Sequence, residues 1–510
     1  MRAEAPSDVI AGKNPFSIED VVRLARGDCK VFLNPEESYR RFLENTHAWL
    51  TERHLEDAPV YGVSTGVGAA VKNAIPERLR SQMPLNLLRF HGVGTGEILS
   101  EDEAAACVAA RLASLSRGYS GVRQPLLERL CLMLNERLLP RIPCEGSVGA
   151  SGDLTPLSYL ASALVGEREV SLRGEVMDAA RAHVKLGIEP LHLQAKESLS
   201  VMNGTSIMTG LACLAFEKAT DLARLASGLS AMTSESVLGN PDHFDSQIFA
   251  LKPHPGSQLC ARWIREHLGR EKGRPVARLQ DRYSIRCAPQ VVGVLIDALS
   301  FSREMLEVEV NGVNDNPLID AEEGRILHGG NFYGGHVCFV MDALKNAVAN
   351  VSDLLDRQMC LLCSSETSGD LPDNLVAMTG SERVVHHGFK AMHISASALT
   401  AEALKLTMPA SAFSRSTESH NQDKVSMGTI AARECLRALE LTETVGAILL
   451  LANCQALDLR NQKGAGATTR AIHETVRRQI PMVTVDRRQD LDIETVLKIY
   501  REKNLPGLGD

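Results

Sequence analysis

Residues 425–457 read VSMGTIAARECLRALELTETVGAILLLANCQAL, and this stretch decides the fold of the 510-residue chain. Its apolar residues surround much of a helical circumference over about 30 residues, which is well beyond the length of an average helix. The segments 199–225, 291–310 and 336–362 have the same character. Helices of this kind must bury one another. The sequence therefore predicts a mostly α fold with a long central helical bundle.

Helical spacing dominates the rest of the chain as well. Aromatic residues make up only 4% of the sequence, while Ala, Leu, Glu and Arg recur at helical intervals. The run Ser100-Glu-Asp-Glu103 is a capping box, which predicts the start of a helix. We expect two domains, an N-terminal globular domain over residues 1–200 and the long-helix bundle over residues 201–510.

Charge and hydropathy exclude several classes of protein. The 55 Lys and Arg residues are outnumbered by 63 Asp and Glu residues, and no basic run offers a phosphate-binding surface, so we expect no nucleic-acid partner. The apolar stretch 445–451 is about a third of a membrane span, so it predicts a buried helix rather than membrane insertion. The N-terminus has no apolar segment of the secretory type. We expect a cytoplasmic protein.

The twelve cysteines sit singly in apolar runs, which argues against a disulfide framework. One pair has the spacing of a metal or redox motif, Cys360-Leu-Leu-Cys363, but no second Cys pair or His-x-x-His lies nearby. We expect this pair to pack in the core and predict no metal site.

The glycine-rich segment 146–153, GSVGASGD, is the most informative loop. Asp153 stands where a hydrolase nucleophile elbow needs glycine, and the glycine spacing fits neither a dinucleotide fingerprint nor a P-loop. Two interpretations remain. The first is a turn that leads into a helix, with Thr155 as N-cap and Pro156 at the first helical position.

The second interpretation is chemical and concerns Ala150-Ser151-Gly152. The amide nitrogen of Gly152, unhindered by a Cβ, can attack the carbonyl carbon of Ala150, and loss of water then closes a five-membered ring. Dehydration of Ser151 leaves an exocyclic methylidene, which is an electrophile that no ordinary side chain supplies. A helix that begins near Pro156 would direct the positive end of its dipole toward this group.

The run 146–158, GSVGASGDLTPLS, resembles the hallmark of the aromatic amino-acid ammonia-lyases and aminomutases, which form a methylidene-imidazolone (MIO) from Ala-Ser-Gly. Five other segments resemble further motifs of that family: YGVSTGVG at 61–68, MNGT at 202–205, QDRYSIRCAPQ at 280–290, NDNP at 314–317 and GGNF at 329–332. The resemblance covers nearly the whole chain. It implies an MIO formed from Ala150, Ser151 and Gly152 in the N-terminal domain, no external cofactor, and a homotetramer whose sites combine loops from several subunits.

The resemblance also implies roles for individual residues. Tyr61 is expected to be the catalytic base, its phenol pKa lowered by nearby positive dipoles, and Tyr283 to assist it. Arg286 is expected to bind the carboxylate of the amino acid. The remaining site residues implied are Asn203, Gln280, Asn316, Phe332 and Asn421, of which the first three are suited to hold the amine and the MIO carbonyl.

The substrate ring is expected to be selected by Phe90, His91 and Gln422. Histidine lyases carry Glu where this chain has Gln422, and a neutral amide suits an uncharged ring. Phe90 would make the pocket apolar, while His91 could bond a ring hydroxyl. We therefore rank tyrosine first, phenylalanine second and histidine third, with a trans-cinnamate-type product. Tyr333, where relatives often have His, and the charged stretch 380–389 depart from the family pattern, and a 2,3-aminomutase outcome stays open.

Two other classes of protein are less consistent with the sequence. A cofactorless lyase of the fumarase and argininosuccinate type would also have long helices, but its Gly-Ser-Ser-x-Met-Pro loop is absent from the sequence. A noncatalytic helical scaffold would not need Tyr, Arg, Asn and Gln together in these loops. The expected partner is a small aromatic amino acid.

Overall fold

Four of the described helices are 24 residues or longer. The computed structural model describes residues 7–55, 59–194, 196–268, 276–462 and 465–508. The long helices are Ser206–Ser236, Ala288–Asn311, Gly335–Leu362 and Gly428–Leu459, and each matches a segment that the sequence predicts. The prediction of a mostly α fold is confirmed.

Chain contacts divide the molecule into two units. The first comprises residues 1–217, 303–342 and 409–433, and the second comprises 218–302, 343–408 and 434–510. The four long helices contribute residues to both units. These units are discontinuous in sequence, unlike the domains expected over residues 1–200 and 201–510, whose boundary as folding domains stays a prediction.

Shorter helices complete each unit. Those of the first unit are Ile18–Arg26, Glu37–Leu55, Glu77–Arg80, Met83–His91, Glu101–Leu115, Gln124–Asn135, Leu154–Leu164, Ala179–Leu186 and Glu197–Met202. Those of the second unit are Ser246–Ala250, Pro255–Leu268, Tyr283–Arg286, Lys390–Lys405, Ala467–Arg477 and Asp490–Arg501. Single 3₁₀ turns occur at Gly68–Lys72, Pro241–Phe244, Asp373–Leu375, Gly380–Val385 and Ala410–Phe413.

The strands that the structure describes are short and lie in the first unit. Val9–Ala11 pairs in parallel with Val31–Leu33, and the other pairings are antiparallel. These antiparallel sheets are Thr95–Ile98 with Pro143–Glu145, Leu138–Pro140 with Glu169–Leu172 and Glu175–Asp178, and Leu318–Asp320 with Arg325–Leu327. These strands of three or four residues pair segments of the chain that connect the helices.

The helix Glu101–Leu115 forms the centre of the first unit. The predicted capping box is confirmed, because the Ser100 side chain accepts from the Glu103 amide and the Glu103 carboxylate accepts from the Ser100 amide. Gly210 lets the Ser206–Ser236 helix approach closely, since a Cβ at Gly210 would overlap the backbone of this helix. Close packing of two helices at a glycine fixes their register.

The segment predicted as one helix from residue 199 is interrupted. Glu197–Met202 ends at Asn203, and the next helix begins at Ser206. The cause lies at Gly204, whose carbonyl accepts from the Asp153 amide at 2.8 Å, so it is not available to a helix. A Cβ at Gly204 would also overlap the Arg111 guanidinium and the Asn314 carbonyl. Because of this break, Asn203 lies between the two helices and belongs to neither of them.

Among the described residues, the helical segment Tyr283–Asn311, which comprises the helices Tyr283–Arg286 and Ala288–Asn311, is long and apolar enough to cross a membrane by length and composition. Core helices of water-soluble proteins pass the same test, and this helix carries Arg303, which forms ion pairs with Glu19 and Glu307. The helix alone is therefore weak support for a membrane span, and the cytoplasmic location stays a prediction.

A buried ion pair supports the interruption at Asn203. Lys196 and Asp315 have fully buried side chains, and the Lys196 Nζ lies 2.6 Å from an Asp315 oxygen and 2.8 Å from Ser200 Oγ. The other Asp315 oxygen accepts from the Asn203 amide group at 3.3 Å and from the Asn316 backbone at 2.7 Å. Burial lowers the pKa of Lys196, and the Asp315 charge opposes that lowering.

We predict that Lys196→Met destabilises the protein by about 3–5 kcal/mol, because it leaves the Asp315 carboxylate buried without a cation. Asp315→Asn in the same chain should recover much of that loss, since it removes the stranded charge. Urea unfolding followed by circular dichroism measures the effect. Lys185→Met, which breaks the exposed pair with Glu175, is the control and should leave the midpoint unchanged. A double variant no more stable than Lys196→Met would contradict the role of charge.

Candidate active site

The first unit contains a cavity of about 660 Å³ that collects most of the predicted site residues. The predicted residues that line it are Tyr61, Phe90, His91, Ala150, Ser151, Asn203, Asn316, Phe332, Asn421 and Gln422. Gly152 is buried directly beside Ser151. The segments concerned are distant in sequence, so their convergence is a property of the fold.

The loop bearing Ser151 has a constrained backbone. Ser151 and Gly152 both adopt positive φ, 49° and 76°, and Gly152 forms a parallel bridge with Gly204. A Cβ at Gly152 would overlap the Gly204 carbonyl, so only glycine fits there. Positive φ at a serine is uncommon and is typical of functional turns. The two backbones hold the Ala150-Ser151-Gly152 turn against Asn203.

Asp153 fixes the loop from below. Its buried carboxylate accepts from Ser147 Oγ at 2.9 Å, from the Met208 amide at 2.9 Å and from the Thr429 hydroxyl. Burial raises the pKa of Asp153, and these hydrogen bonds oppose the rise. The helix that follows is Leu154–Leu164 with Asp153 at its N-cap position, so it begins before Thr155, the N-cap expected from the sequence.

Tyr61 lies in the cavity with its hydroxyl oxygen accepting from the Gly68 amide at 2.7 Å. The expected lowering of its pKa is not found. Burial raises the pKa of Tyr61, the Gly68 hydrogen bond opposes this, and the negative charge of Glu418 adds to the rise. A base at this position therefore has a protonated resting state, and the Gly68 amide is the group that stabilises its phenolate.

His91 and Phe90 end the helix Met83–His91 at the cavity. His91 Nδ1 lies 2.9 Å from the Leu87 carbonyl, which only accepts, so Nδ1 carries the proton. Burial lowers the pKa of His91, while Glu418 opposes this, and the neutral ring retains a lone pair on Nε2. The Phe90 and His91 ring centroids are 4.0 Å apart. His91 thus offers an acceptor.

The loop 417–422 closes the cavity from another side. Thr417 and Gln422 pair through their backbones, and Gln422 Oε1 accepts from Thr417 Oγ1 at 2.9 Å. Gln422 Nε2 then donates to Ser151 Oγ at 3.3 Å, so the amide is oriented toward the reactive loop. Glu418 within this loop accepts from the Ala69 amide at 2.7 Å and thereby joins it to the Tyr61 segment.

Asn203 and Asn316 lie together beneath the cavity. Asn203 Nδ2 donates to the Asn316 carbonyl at 2.8 Å, and Asn203 Oδ1 is buried with no hydrogen-bond partner among the described atoms. An orphaned buried acceptor is costly, so it is expected to bind a donor from a ligand. Asn316 Oδ1 accepts from the Gly329 amide at 2.9 Å, which positions the loop that carries Phe332.

Gln280, Tyr283 and Arg286 belong to the second unit and are not among the described residues that line this cavity. The Tyr283 side chain is 71% exposed, and the Arg286 guanidinium lies 4.6 Å from its ring centroid. Arg286 also donates to the Asp281 carbonyl at 3.0 Å. Tyr283 and Arg286 therefore form a cation–π pair on the second unit.

The loop residues fit the MIO expected from the sequence. The tight turn at Ser151, the requirement for glycine at 152 and the amide of Gln422 beside Ser151 Oγ are all consistent with cyclisation at this loop. Ala150, Ser151 and Gly152 would provide the atoms of the ring, and Asn203 with its free oxygen lies across the Gly152–Gly204 bridge.

Sequence reasoning missed one residue that alters the character of the cavity, Glu418, whereas it had singled out Tyr333. Glu418 and Tyr333 both line it, and Glu418 supplies an acidic group beside Tyr61 and His91. The signal available for Glu418 was its place four residues before Gln422 in a polar loop. Its contact with Ala69 spans 349 residues of chain and is not visible in a local pattern.

Comparison with known proteins agrees with this geometry. The family model for aromatic amino acid lyases matches residues 16–478. A histidine ammonia-lyase from Gloeobacter violaceus is 37% identical over 96% of this chain and 95% of its own length. Crystal structures of a tyrosine aminomutase from Streptomyces globisporus and a histidine ammonia-lyase from Trypanosoma cruzi superpose with TM-scores of 0.91 and 0.89. Their identities are 34% over 97% of both chains, and 30% over 99% of this chain and 95% of the other. The chain belongs to the aromatic amino acid lyase family of ammonia-lyases and aminomutases.

Proposed function

We propose that this enzyme uses an MIO to eliminate ammonia from an L-α-amino acid whose aromatic ring carries a hydrogen-bond donor. One observation carries the proposal: the cavity that contains Ser151 is lined by two residues that can accept a hydrogen bond, His91, whose Nδ1 is held by the Leu87 carbonyl, and Glu418. A phenyl ring has no donor for either group and would forgo these hydrogen bonds, each worth about 0.5–1.5 kcal/mol. Phenylalanine therefore falls behind tyrosine and histidine.

The chain's own residues have distinct tasks in this reaction. Tyr61 removes the β-proton, and the Gly68 amide stabilises the phenolate that this requires. Asn203 Oδ1 accepts from the substrate amine, which gives that buried oxygen its missing donor. Gln422 and Asn421 hold the Ser151 side of the cavity. The MIO, once formed, supplies the electrophilic methylidene that activates the departing nitrogen.

Tyrosine is the first candidate because of Gln422. Its side chain is a neutral amide held by Thr417 Oγ1, so it presents no charge to the ring, and His91 Nε2 can accept from a phenol. The product would be a trans-cinnamate-type acid. Ammonia returned to the β-carbon would instead give a β-amino acid. Because the chain is similar to tyrosine aminomutase structures, an assay of the products has to measure both acids.

Histidine is the second candidate, and two observations favour it over its place in the sequence-based ranking. The curated relatives with 34–37% identity carry the name histidine ammonia-lyase. Glu418 also supplies a carboxylate within the cavity, although at a different position from Gln422. A carboxylate can accept from an imidazole N–H or pair with an imidazolium. The product would then be urocanate.

We further infer that Gln280, Tyr283 and Arg286 complete the cavity of another subunit in a homotetramer. Gln280 and Tyr283 are exposed on the second unit and Arg286 is half-buried, which supports this because an Arg that binds a substrate carboxylate has to be accessible. Arg286 lies over Tyr283 in a cation–π contact, which presents the guanidinium in one orientation.

The MIO itself is tested with Ser151→Ala. The wild-type chain should be lighter than its sequence by the mass of two water molecules, and Ser151→Ala should keep the full mass and lose nearly all turnover. Intact-mass spectrometry, near-ultraviolet absorbance and circular dichroism measure these effects. An active wild-type preparation at full sequence mass would contradict the proposal.

Ring selection is tested with His91→Leu and Glu418→Gln. His91→Leu should lower kcat/KM for tyrosine by about 100-fold and leave phenylalanine turnover unchanged or higher, because only the phenol loses a partner. Glu418→Gln should lower histidine turnover most if an imidazole is the true ring. Met83→Leu, an apolar change in the same cavity, is the matched control. Equal losses on tyrosine and phenylalanine in His91→Leu would reject the selective role of His91.

Composite sites are tested by complementation between Ser151→Ala and Arg286→Met, each expected to be inactive alone. If Arg286 serves another subunit, random hybrid tetramers from equal amounts should regain about a quarter of wild-type activity, since half of the subunits supply each intact residue. Co-expression with two affinity tags isolates the hybrids. Hybrids without activity would show that both residues act within one chain.

A further inference from the structure

A polar seam runs between two helical segments of the second unit, and none of the residues that form it lines the cavity described above. The helix Gly335–Leu362 packs antiparallel to Lys390–Lys405, since residue numbers rise on one side of the seam and fall on the other. Three layers are visible: Ser352 bonds Thr400 at 3.0 Å, Ser397 donates to Asp356 at 2.7 Å, and Cys360 Sγ lies 2.9 Å from His393 Nε2.

The last layer differs from the first in chemistry. Ser352 and Thr400 form a closed pair of hydroxyls in a buried setting. Cys360 and His393 are only half-buried, and with Asp356 they place one sulfur, one nitrogen and one carboxylate oxygen within 4.8 Å of one another. Asp356 and Cys360 are one helical turn apart, so they project from the same helix face.

We propose that Asp356, Cys360 and His393 bind a divalent transition metal, with Zn²⁺ as the ion of matching chemistry. Thiolate, imidazole and carboxylate are the ligands that Zn²⁺ takes, and three of them leave a fourth position for water. In a tetrahedral site, Zn–S of about 2.3 Å and Zn–N of about 2.0 Å place sulfur and nitrogen about 3.5 Å apart. The present separation of 2.9 Å differs from this by a small side-chain rotation.

Binding of the metal ion at this site is coupled to the release of one proton. The Cys360 thiol releases its proton to solvent, and the resulting thiolate and the lone pair of His393 Nε2 turn from each other to the ion. Arg357 lies 3.7 Å from an Asp356 oxygen, but its side chain is 60% exposed and bonds Asp353 at 3.0 Å, so it can leave the carboxylate to the metal.

The Cys360-x-x-Cys363 spacing is not the basis of the site. Cys363 is 8% exposed and packs in the core, as the sequence predicts for the pair, whereas Cys360 faces His393. The other two proposed ligands are Asp356, one helical turn before Cys360, and His393, which lies 33 residues after Cys360 on another helix. A metal here would link the two helices at the open end of their polar seam.

The test uses the full-length protein, stripped with a chelator and desalted, and Zn²⁺ as the probe. After Zn²⁺ is added back and the excess is removed, wild type should retain one Zn²⁺ per chain by elemental mass spectrometry. Cys360→Ser and His393→Gln should bind Zn²⁺ at least about tenfold more weakly in competition with a chromophoric chelator. Cobalt substitution should give a thiolate charge-transfer band that Cys360→Ser lacks. Zn²⁺ should also raise the unfolding midpoint of wild type.

Cys29→Ser is the matched control, because Cys29 is a half-buried thiol in the first unit and should leave Zn²⁺ binding unchanged. Circular dichroism verifies folding, and Asp356→Asn and His393→Gln carry the test if Cys360→Ser does not fold. Equal Zn²⁺ affinity in wild type, Cys360→Ser and His393→Gln, or a wild type that retains no Zn²⁺, would overturn the proposal. Turnover does not enter this test, so its outcome is separate from that of the proposed reaction.

Discussion

The contact between Gly152 and Gly204 is the constraint on which the site depends. The Asp153 amide donates to the Gly204 carbonyl, and neither glycine has room for a Cβ. This backbone contact forces the chain out of helix between Met202 and Ser206 and brings Asn203 beside the Ser151 turn. Arg111, fully buried, then donates to the Asn203 and Asn314 carbonyls from the opposite side. A rigid site results because backbone atoms, rather than flexible side chains, set its spacing.

Local patterns carry much of this structure. The long helices follow from apolar spacing, and the helix start at Ser100 follows from its capping box, since both signals lie within a few residues of the element they predict. The break at residues 203–205 depends on a partner some 50 residues away, so no local pattern contains it. The place of Glu418 in the cavity could not be predicted for the same reason. Its bond to the Ala69 amide joins segments that only the folded chain brings together.

Family membership and ring preference rest on different parts of the cavity. In the proposed reaction, the Ser151 loop, Tyr61 and Asn203 would handle the amine and the β-carbon, which every aromatic amino acid shares. Selection of the ring would depend on a few side chains, in our proposal His91, Glu418 and Gln422, and one unpaired polar group changes selectivity by an order of magnitude or more. An overall identity of 37% with a histidine ammonia-lyase therefore fixes the reaction class more firmly than the substrate.

The pKa of Tyr61 connects this selection to catalysis. Glu418 raises the pKa of Tyr61 as well as that of His91, so the same carboxylate that can receive a ring donor also disfavours the catalytic phenolate. A ring donor that hydrogen-bonds Glu418 would disperse part of its negative charge and reduce this repulsion. Substrate binding would then favour deprotonation of Tyr61. In the proposed reaction, a ring that carries a donor would therefore help to prepare the base, which a ring without a donor cannot do.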